Sequence, residues 1–178
     1  MEKEENAIIL DYLPYGYPMS RKMMPIAQAI GEKTFALLEL IPRKGVSLAP
    51  KEKVYIGSGK RDKIYYIFGR LPKENITESA KIQLQEFIEG VVAEQEKKFV
   101  DFFNKAQAIN TRLHQLELLP GFGKKHTEQV LKARDGKPFE SFEDIRKRVS
   151  NIPDPKKAIE KRLIEELIEN QRFNLFVN

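Results

Sequence analysis

Leu118-Leu119-Pro120-Gly121-Phe122-Gly123-Lys124-Lys125 is the stretch that decides how the last third of the chain folds. Helical spacing lies on either side of it, over Thr111–Leu118 and over Lys124–Arg134. Pro120 and Gly121 stop the first helix, so the chain must reverse within a few residues. A reversal that tight needs backbone at positive φ, which glycine adopts without steric cost. The missing side chains at Gly121 and Gly123 also let a phosphate approach the main chain closely. The amides of Gly121, Gly123 and Lys124 would then converge on its oxygens, at a helix N-terminus whose dipole favours negative charge. Leu119 and Phe122 face inward and fasten the two helices. Lys124 and Lys125 supply neighbouring backbone contacts, and His126, one turn into the helix, is placed to donate to the same or the next phosphate.

The pattern apolar-Pro-Gly-apolar-Gly over Leu119–Gly123 resembles the helix-hairpin-helix motif. Lys137-Pro138-Phe139 and Ser141-Phe142-Glu143-Asp144-Ile145 are similar to the linker and helix that follow such a hairpin in tandem domains. The resemblance implies nucleic-acid binding by Gly121, Phe122, Gly123, Lys124, Lys125 and His126, with no cofactor beyond a monovalent cation held by hairpin carbonyls. The second half of the tandem departs from the pattern. Ser150-Asn151-Ile152-Pro153-Asp154-Pro155 has no glycine and carries an acid that repels phosphate, so it reads as a structural partner. Further along, Ser141 and Asp144 form a capping-box pair, and Asp154 with Pro155 suits the start of a last helix running to about Glu169.

Upstream, residues 75–109 carry apolar side chains at helical spacing (Leu84, Phe87, Ile88, Val91, Val92, Phe99, Phe102, Phe103, Ala106), which predicts one long connecting helix of about 45 Å. Gly90 marks a bend in it. Residues 1–74 read as β-rich: a short apolar run over Ala7–Leu10, strands over Thr34–Ile41, Lys53–Ile56 and Ile64–Phe68, a short helix over Met23–Ile30, and a turn or extended loop at Tyr12–Pro18. Short strands at this density predict a small antiparallel β-barrel of the OB or S1-like kind. The fold class expected is thus α+β: a barrel over 1–74, a connecting helix over 75–109 and a helix-hairpin-helix domain over 110–178.

Charge is distributed to match. The chain has 178 residues and a net charge of +5, which favours polyanionic partners. Lys51–Lys63 holds five bases against two acids, and Leu119–Ser150 eight against five, while 75–110 is net acidic. In the barrel, Lys51, Lys53, Lys60, Arg61 and Lys63 surround Tyr55, Tyr65, Tyr66 and Phe68. Such a set can form a platform for stacked bases, although strand alternation predicts that half of these rings are buried. Lys60 and Arg61, in the glycine-rich loop Gly57–Lys63, are its candidate contacts.

Across nearly its full length the chain is similar to a family of uncharacterised archaeal proteins described as predicted RNA-binding. The similarity is carried by Asp11-Tyr12-Leu13-Pro14, by Leu37-Leu38-Glu39-Leu40 followed by Pro42, by Val54-Tyr55-Ile56-Gly57, and by Arg112–Gly121. It implies a β-barrel joined to a helix-hairpin-helix domain and a preference for RNA over DNA.

Composition sets the remaining bounds. With no cysteine and two histidines, disulfides and thiolate chemistry are excluded and a metal site is not expected. No P-loop, HExxH or serine elbow is present, so no catalytic residues are expected; scattered carboxylates leave a nuclease as an open alternative. No apolar run approaches the roughly 20 residues of a membrane span, and the N-terminus is acidic, which predicts a cytoplasmic protein. The reading is a non-catalytic nucleic-acid-binding protein; the alternative is a protein–protein adaptor docking through the helical domain.

Overall fold

The computed structural model describes residues 3–177. Five strands, β1 (Asn6–Leu13), β2 (Ile26–Gly31), β3 (Leu37–Pro42), β4 (Lys53–Tyr55) and β5 (Ile64–Arg70), precede five helices, α1 (Glu78–Glu94), α2 (Glu96–Lys105), α3 (Lys124–Gly136), α4 (Phe142–Arg148) and α5 (Pro155–Ile168), so the class is α+β. The chain forms two compact units. One runs up to Glu86 and takes in the segment from Leu167 onward; the other is Phe87–Glu166. Among the described residues no helix is long and apolar enough to cross a membrane.

The first unit is built on one antiparallel sheet in the order β4-β1-β2-β3-β5. Register shifts between Ile9 and Asp11 in β1, and at Glu39/Leu40 and Ile41/Pro42 in β3, add the local twist that curls it. No ladder joins β4 to β5 among the described residues, so the sheet is an open half-barrel and not the closed barrel that the strand spacing predicts. Met23–Ile30, expected as a helix, overlaps the central strand β2 from Ile26 onward. All six residues of that strand are buried, so it shows none of the alternation that marks a half-exposed strand. Pairing on both flanks overrides the helix preference of its alanines. One face carries Ala7, Ile9, Ala27, Ala29, Leu40, Val54 and Ile64, covered by Leu48 and Ile56.

The opposite face holds a buried polar row. Asp11, Gln28 and Glu39 are register partners across β1, β2 and β3. Gln28 is fully buried and Glu39 nearly so. The Gln28 amide donates to Asn75 O at 2.7 Å and to Tyr17 Oη at 3.2 Å, and its oxygen accepts from Thr77 N at 3.1 Å. Thr77 Oγ1 donates to Asp11 Oδ2 at 2.6 Å while capping Ala80 N at 3.0 Å. Tyr17 Oη donates to Glu39 Oε2 at 2.5 Å. Burial, and next the bond to Glu39, push the Tyr17 phenol far above its ordinary pKa, so it stays a donor. The entry to α1 is thereby sewn to the middle of the sheet.

In the second unit the expected single helix over 75–109 breaks at Gln95 (φ −105°, ψ 35°), where α2 starts, and not at Gly90. Phe99, Val100 and Phe103 of α2 are core residues, together with Leu116, Leu119, Phe122, Val130, Ile145 and Leu163. Thr111–Leu118, expected as a helix, is a short antiparallel bridge between Ala108 and His114 followed by one 3-10 turn, Gln115–Leu118. The cap of α5 is as expected, and that of α4 is half of the expected capping box, since the Asp144 carboxylate accepts from Glu140 N at 3.0 Å and not from Ser141 N. Ser141 Oγ accepts from Asp144 N at 2.9 Å, and Asp154 Oδ1 accepts from Lys156 N and Lys157 N at 3.0 and 3.2 Å.

Replacing Gln28 by leucine keeps the volume but orphans the Thr77 amide and the Asn75 carbonyl. A fully buried unpaired group costs about 1–3 kcal/mol; these two are part-buried, so Gln28→Leu is expected to lower the urea-unfolding free energy by about 1–2 kcal/mol. An unchanged midpoint would show that the row is ornamental.

Candidate nucleic-acid interface

The Leu118–Lys125 stretch does form a tight reversal, from the 3-10 turn into α3. Gly121 has φ +84°, and a methyl group there would meet Pro153 Cγ at 3.0 Å. Conformation and packing therefore both require glycine at this place. Gly123 differs: its φ is −109°, ordinary extended backbone, and it stands at the N-cap of α3. The expectation of positive φ is met at Gly121 and not at Gly123. A methyl group at Gly123 would meet only His126 Nδ1, 4.0 Å away. Gly123 is exposed, as are Lys124 and Lys125.

The amides are shared out in a way the sequence did not foretell. Phe122 N donates to Leu119 O at 3.0 Å. Gly123 N donates to His126 Nδ1 at 3.0 Å, so His126, expected as a donor to phosphate, is here an acceptor from the hairpin itself. The first intrahelical bond of α3 is Thr127 N to Gly123 O at 3.1 Å. The preceding amides of Lys124, Lys125 and His126 therefore have no partner within the helix. Phe122 is 5% exposed and its ring packs against Phe103 and the His126 imidazole; its side chain is core and offers nothing to a ligand. Lys124 Nζ reaches Arg112 O at 2.9 Å and Glu117 at 3.4 Å, which ties the reversal to the bridge before it.

A second turn, over Ser150–Pro155, packs against the first through Pro153. Asn151 has φ +62°, the left-handed conformation that Gly121 adopts, and asparagine is among the few other residues that tolerate it. Pro153, two residues on, is the side chain that touches Gly121. Arg162 Nη1 donates to Leu118 O at 3.3 Å while Arg162 Nε pairs with Glu166 at 2.9 Å. Both side chains are buried, so α5 anchors the first hairpin through a buried ion pair.

Of the bases between Leu119 and Ser150, several serve the fold. Arg134 Nη1 donates to Phe103 O and Ala106 O at 3.1 and 2.7 Å, closing the end of α2. Arg148 reaches Ala133 O and Lys137 O at 2.7 and 2.6 Å and lies over the Phe139 ring. Lys137 and Lys147 pair with Glu140 and Glu143. Lys125, Lys132 and Arg146 have no ion-pair partner among the described residues, so the charge free to meet a phosphate is smaller than the count suggests.

In the first unit the structure separates the expected platform into two parts. Tyr55 is structural: its Oη accepts from Gly59 N at 2.9 Å, and a methyl group at Gly57 or Gly59 would strike that hydroxyl at 2.4 or 2.9 Å. The glycines of this loop make room for Tyr55. Arg61 Nε donates to Gly57 O at 2.8 Å and holds the same loop, and Lys63 pairs with Glu52, leaving Lys60 as its exposed base without an ion-pair partner among the described residues. Tyr65, Tyr66 and Phe68, by contrast, are exposed. The expected burial of half the rings thus fails on β5.

An open antiparallel half-barrel in one unit, and short helices with two tight turns in the other, define the class of this protein. The chain belongs to the family described as "Protein of unknown function (DUF655)", matched over residues 3–178. It is similar to the uncharacterized protein MJ0038 of Methanocaldococcus jannaschii, 43% identical over 179 residues, covering 99% of this chain and 81% of that one. It is also similar to the crystal structure of Af1531 from Archaeoglobus fulgidus, with 44% identity and a TM-score of 0.84 over 98% of this chain and 100% of the other.

His114, to which the sequence assigned no role, caps the 3-10 turn: its Nδ1 accepts from Leu116 N at 3.1 Å, while Glu117 accepts from His114 N at 2.7 Å. Burial, and next the nearby Arg134, hold its pKa below the ordinary 6.5. The folded state thus favours the neutral ring, the form that can accept at Nδ1. The stability this gives is complete above the unfolded value and is lost as pH falls from about 6.5 toward the folded pKa. Asparagine caps without titrating, so His114→Asn is expected to flatten the pH dependence of the melting temperature between about pH 7 and 5. An unaltered slope would place that dependence elsewhere.

Proposed function

We propose that this is a non-catalytic nucleic-acid-binding protein that holds one backbone phosphate at the Gly121–Lys125 turn, with RNA preferred over DNA. In this reading Leu119–Gly123 with α3 is a helix-hairpin-helix corner, the Ser150–Pro155 turn is its structural partner, and the half-barrel is an opened relative of the OB-like barrels. The observation that carries it is Gly123. Neither its backbone angles nor its neighbours require glycine, yet the position stands bare at the start of a 13-residue helix, next to amides that the helix leaves unused and to the exposed Lys125. An approaching phosphate finds main chain there and no side chain. It takes the Gly123 amide by displacing the His126 imidazole. The RNA preference rests on the resemblance to predicted RNA-binding proteins and on the β-rich partner unit, since the turn itself would hold either backbone.

Gly123→Val tests the reading with little conformational strain, because valine accepts a φ of −109°. The variant is expected to keep its circular dichroism spectrum and bind RNA at least about tenfold more weakly at fixed salt, the scale of one lost charge-assisted contact. Lys125→Ala should reduce the slope of log K against log salt by about 1 and affinity modestly. A folded Gly123→Val protein that binds as the parent does would make the turn a structural corner, and docking of a protein partner on the helical unit would then be the better account.

A further inference from the structure

The margin of the sheet at β5 is unusual in what it exposes. Edge strands are commonly short or guarded by charge, yet β5 is seven residues long and presents Tyr65, Tyr66 and Phe68 at 63%, 37% and 56% exposure. The Tyr65 and Tyr66 rings meet edge to face, 5.3 Å apart. Of these rings Tyr65 lines a groove of about 530 Å³, together with Tyr12, Met24, Pro25, Pro42 and Lys44. That volume falls within the range of small-ligand clefts. The groove is preformed: Tyr12 Oη donates to Val46 O at 3.4 Å, Val46 N closes a turn on Arg43 O at 3.0 Å, and Arg43 N donates to Lys63 O at 2.8 Å. Arg43 Nε reaches Arg61 O at 2.7 Å, so the Arg43–Ser47 turn and the Gly57–Lys63 loop are fixed together.

We infer that this groove takes one unpaired base of a single-stranded RNA, stacked on Tyr65, with Phe68 offering a ring to a neighbouring base. The inference rests on the nucleic-acid reading above and adds a contact independent of the α3 turn. Charge complementarity selects the occupant. Lys60–Arg70 carries four bases against one acid, and Arg43 and Lys44 add two more. Lys63 is taken by Glu52, but Lys44, Lys60 and Arg70 have no ion-pair or hydrogen-bond partner among the described residues. An apolar protein segment would leave these cations unanswered, whereas a nucleic-acid strand supplies a phosphate for each while its bases use the aromatic faces. Stacking of this kind is indifferent to sequence and demands an unstacked base, so a duplex, whose bases are already stacked, gains nothing from the groove.

The full chain and its variants are titrated against two labelled probes at one salt concentration: a short oligouridine and an RNA duplex. Tyr65→Ala and Phe68→Ala, both at exposed positions, are expected to weaken oligouridine binding about tenfold each and leave duplex binding unchanged. Tyr65→Phe, which keeps the ring, is expected to bind as the parent does. Gly123→Val is expected to weaken both probes. If Tyr65→Ala binds oligouridine normally while Gly123→Val does not, the groove assignment is overturned and the turn stands. If Tyr65→Ala loses oligouridine binding while Gly123→Val is unaffected, the groove stands and the turn falls. A parent that binds neither probe overturns both. Sedimentation read alongside adds one more outcome: oligouridine affinity unchanged in Tyr65→Ala, with a parental oligomer dissociating, would make β5 a surface for a second copy of this chain and overturn the inference.

Discussion

Gln28 is a neutral amide at the centre of a strand that is buried on both faces, and the first unit is arranged around satisfying it. A buried amide has to find partners for its donors and its acceptor, and none can come from its own strand. They come from Tyr17, in the loop after β1, and from Asn75 and Thr77, at the entry to α1. The same Thr77 hydroxyl caps α1 and grips Asp11. Sheet, loop and helix entry thus share one set of hydrogen bonds, and such a network specifies an arrangement more narrowly than apolar packing does, because each member has a direction. The loop after β1 is held only through Tyr17 within this network, and it leaves Tyr15, Met19 and Met23 exposed.

The second unit answers a different constraint, the carbonyls left open where short helices end. Its helices are seven to fourteen residues long apart from the final stretch of α1, so much of its backbone lies near a terminus. Arg134 and Arg148 supply donors to several of these carbonyls at once, which a planar guanidinium does better than an ammonium group can. Arg162 does the same for Leu118 from inside the core. Arginines that count as surface charge in the sequence are in large part internal caps, while the lysines stay at the surface.

These two constraints explain how far the sequence could be read. Strands β3, β4 and β5 were visible because β-branched and aromatic residues cluster between turn residues, while β1 showed only as a short apolar run. Strand β2 was not visible, because complete burial removes alternation and Ala27 and Ala29 suit a helix as well as a strand. The stripe from Leu84 to Ala106 was legible as helical, but the break at Gln95 leaves no mark in apolar spacing. At the turn, Pro120 and Gly121 announced the reversal and Asp154 with Pro155 the start of α5. The engagement of Gly123 N by His126 was not legible, since it depends on an imidazole folding back from the helix's own first turn. The Gly57–Lys63 loop was read as a ligand loop because glycines and bases occur in it together; its glycines answer to Tyr55, which only the three-dimensional structure brings over them. The exposure of Tyr65 and Phe68 was hidden for a related reason: β5 lies at an open margin, and a closed barrel would have had no such margin.

The contact between Gly121 and Pro153 makes the two turns depend on each other. A side chain at 121 would need both a left-handed backbone and space that Pro153 already fills, so that site is closed to variation as long as the proline remains. Position 151 is equally left-handed and holds asparagine, a residue that tolerates that conformation. Shortening the side chain at 153 would remove the packing half of that constraint and leave the conformational half in place, so position 121 would still favour glycine.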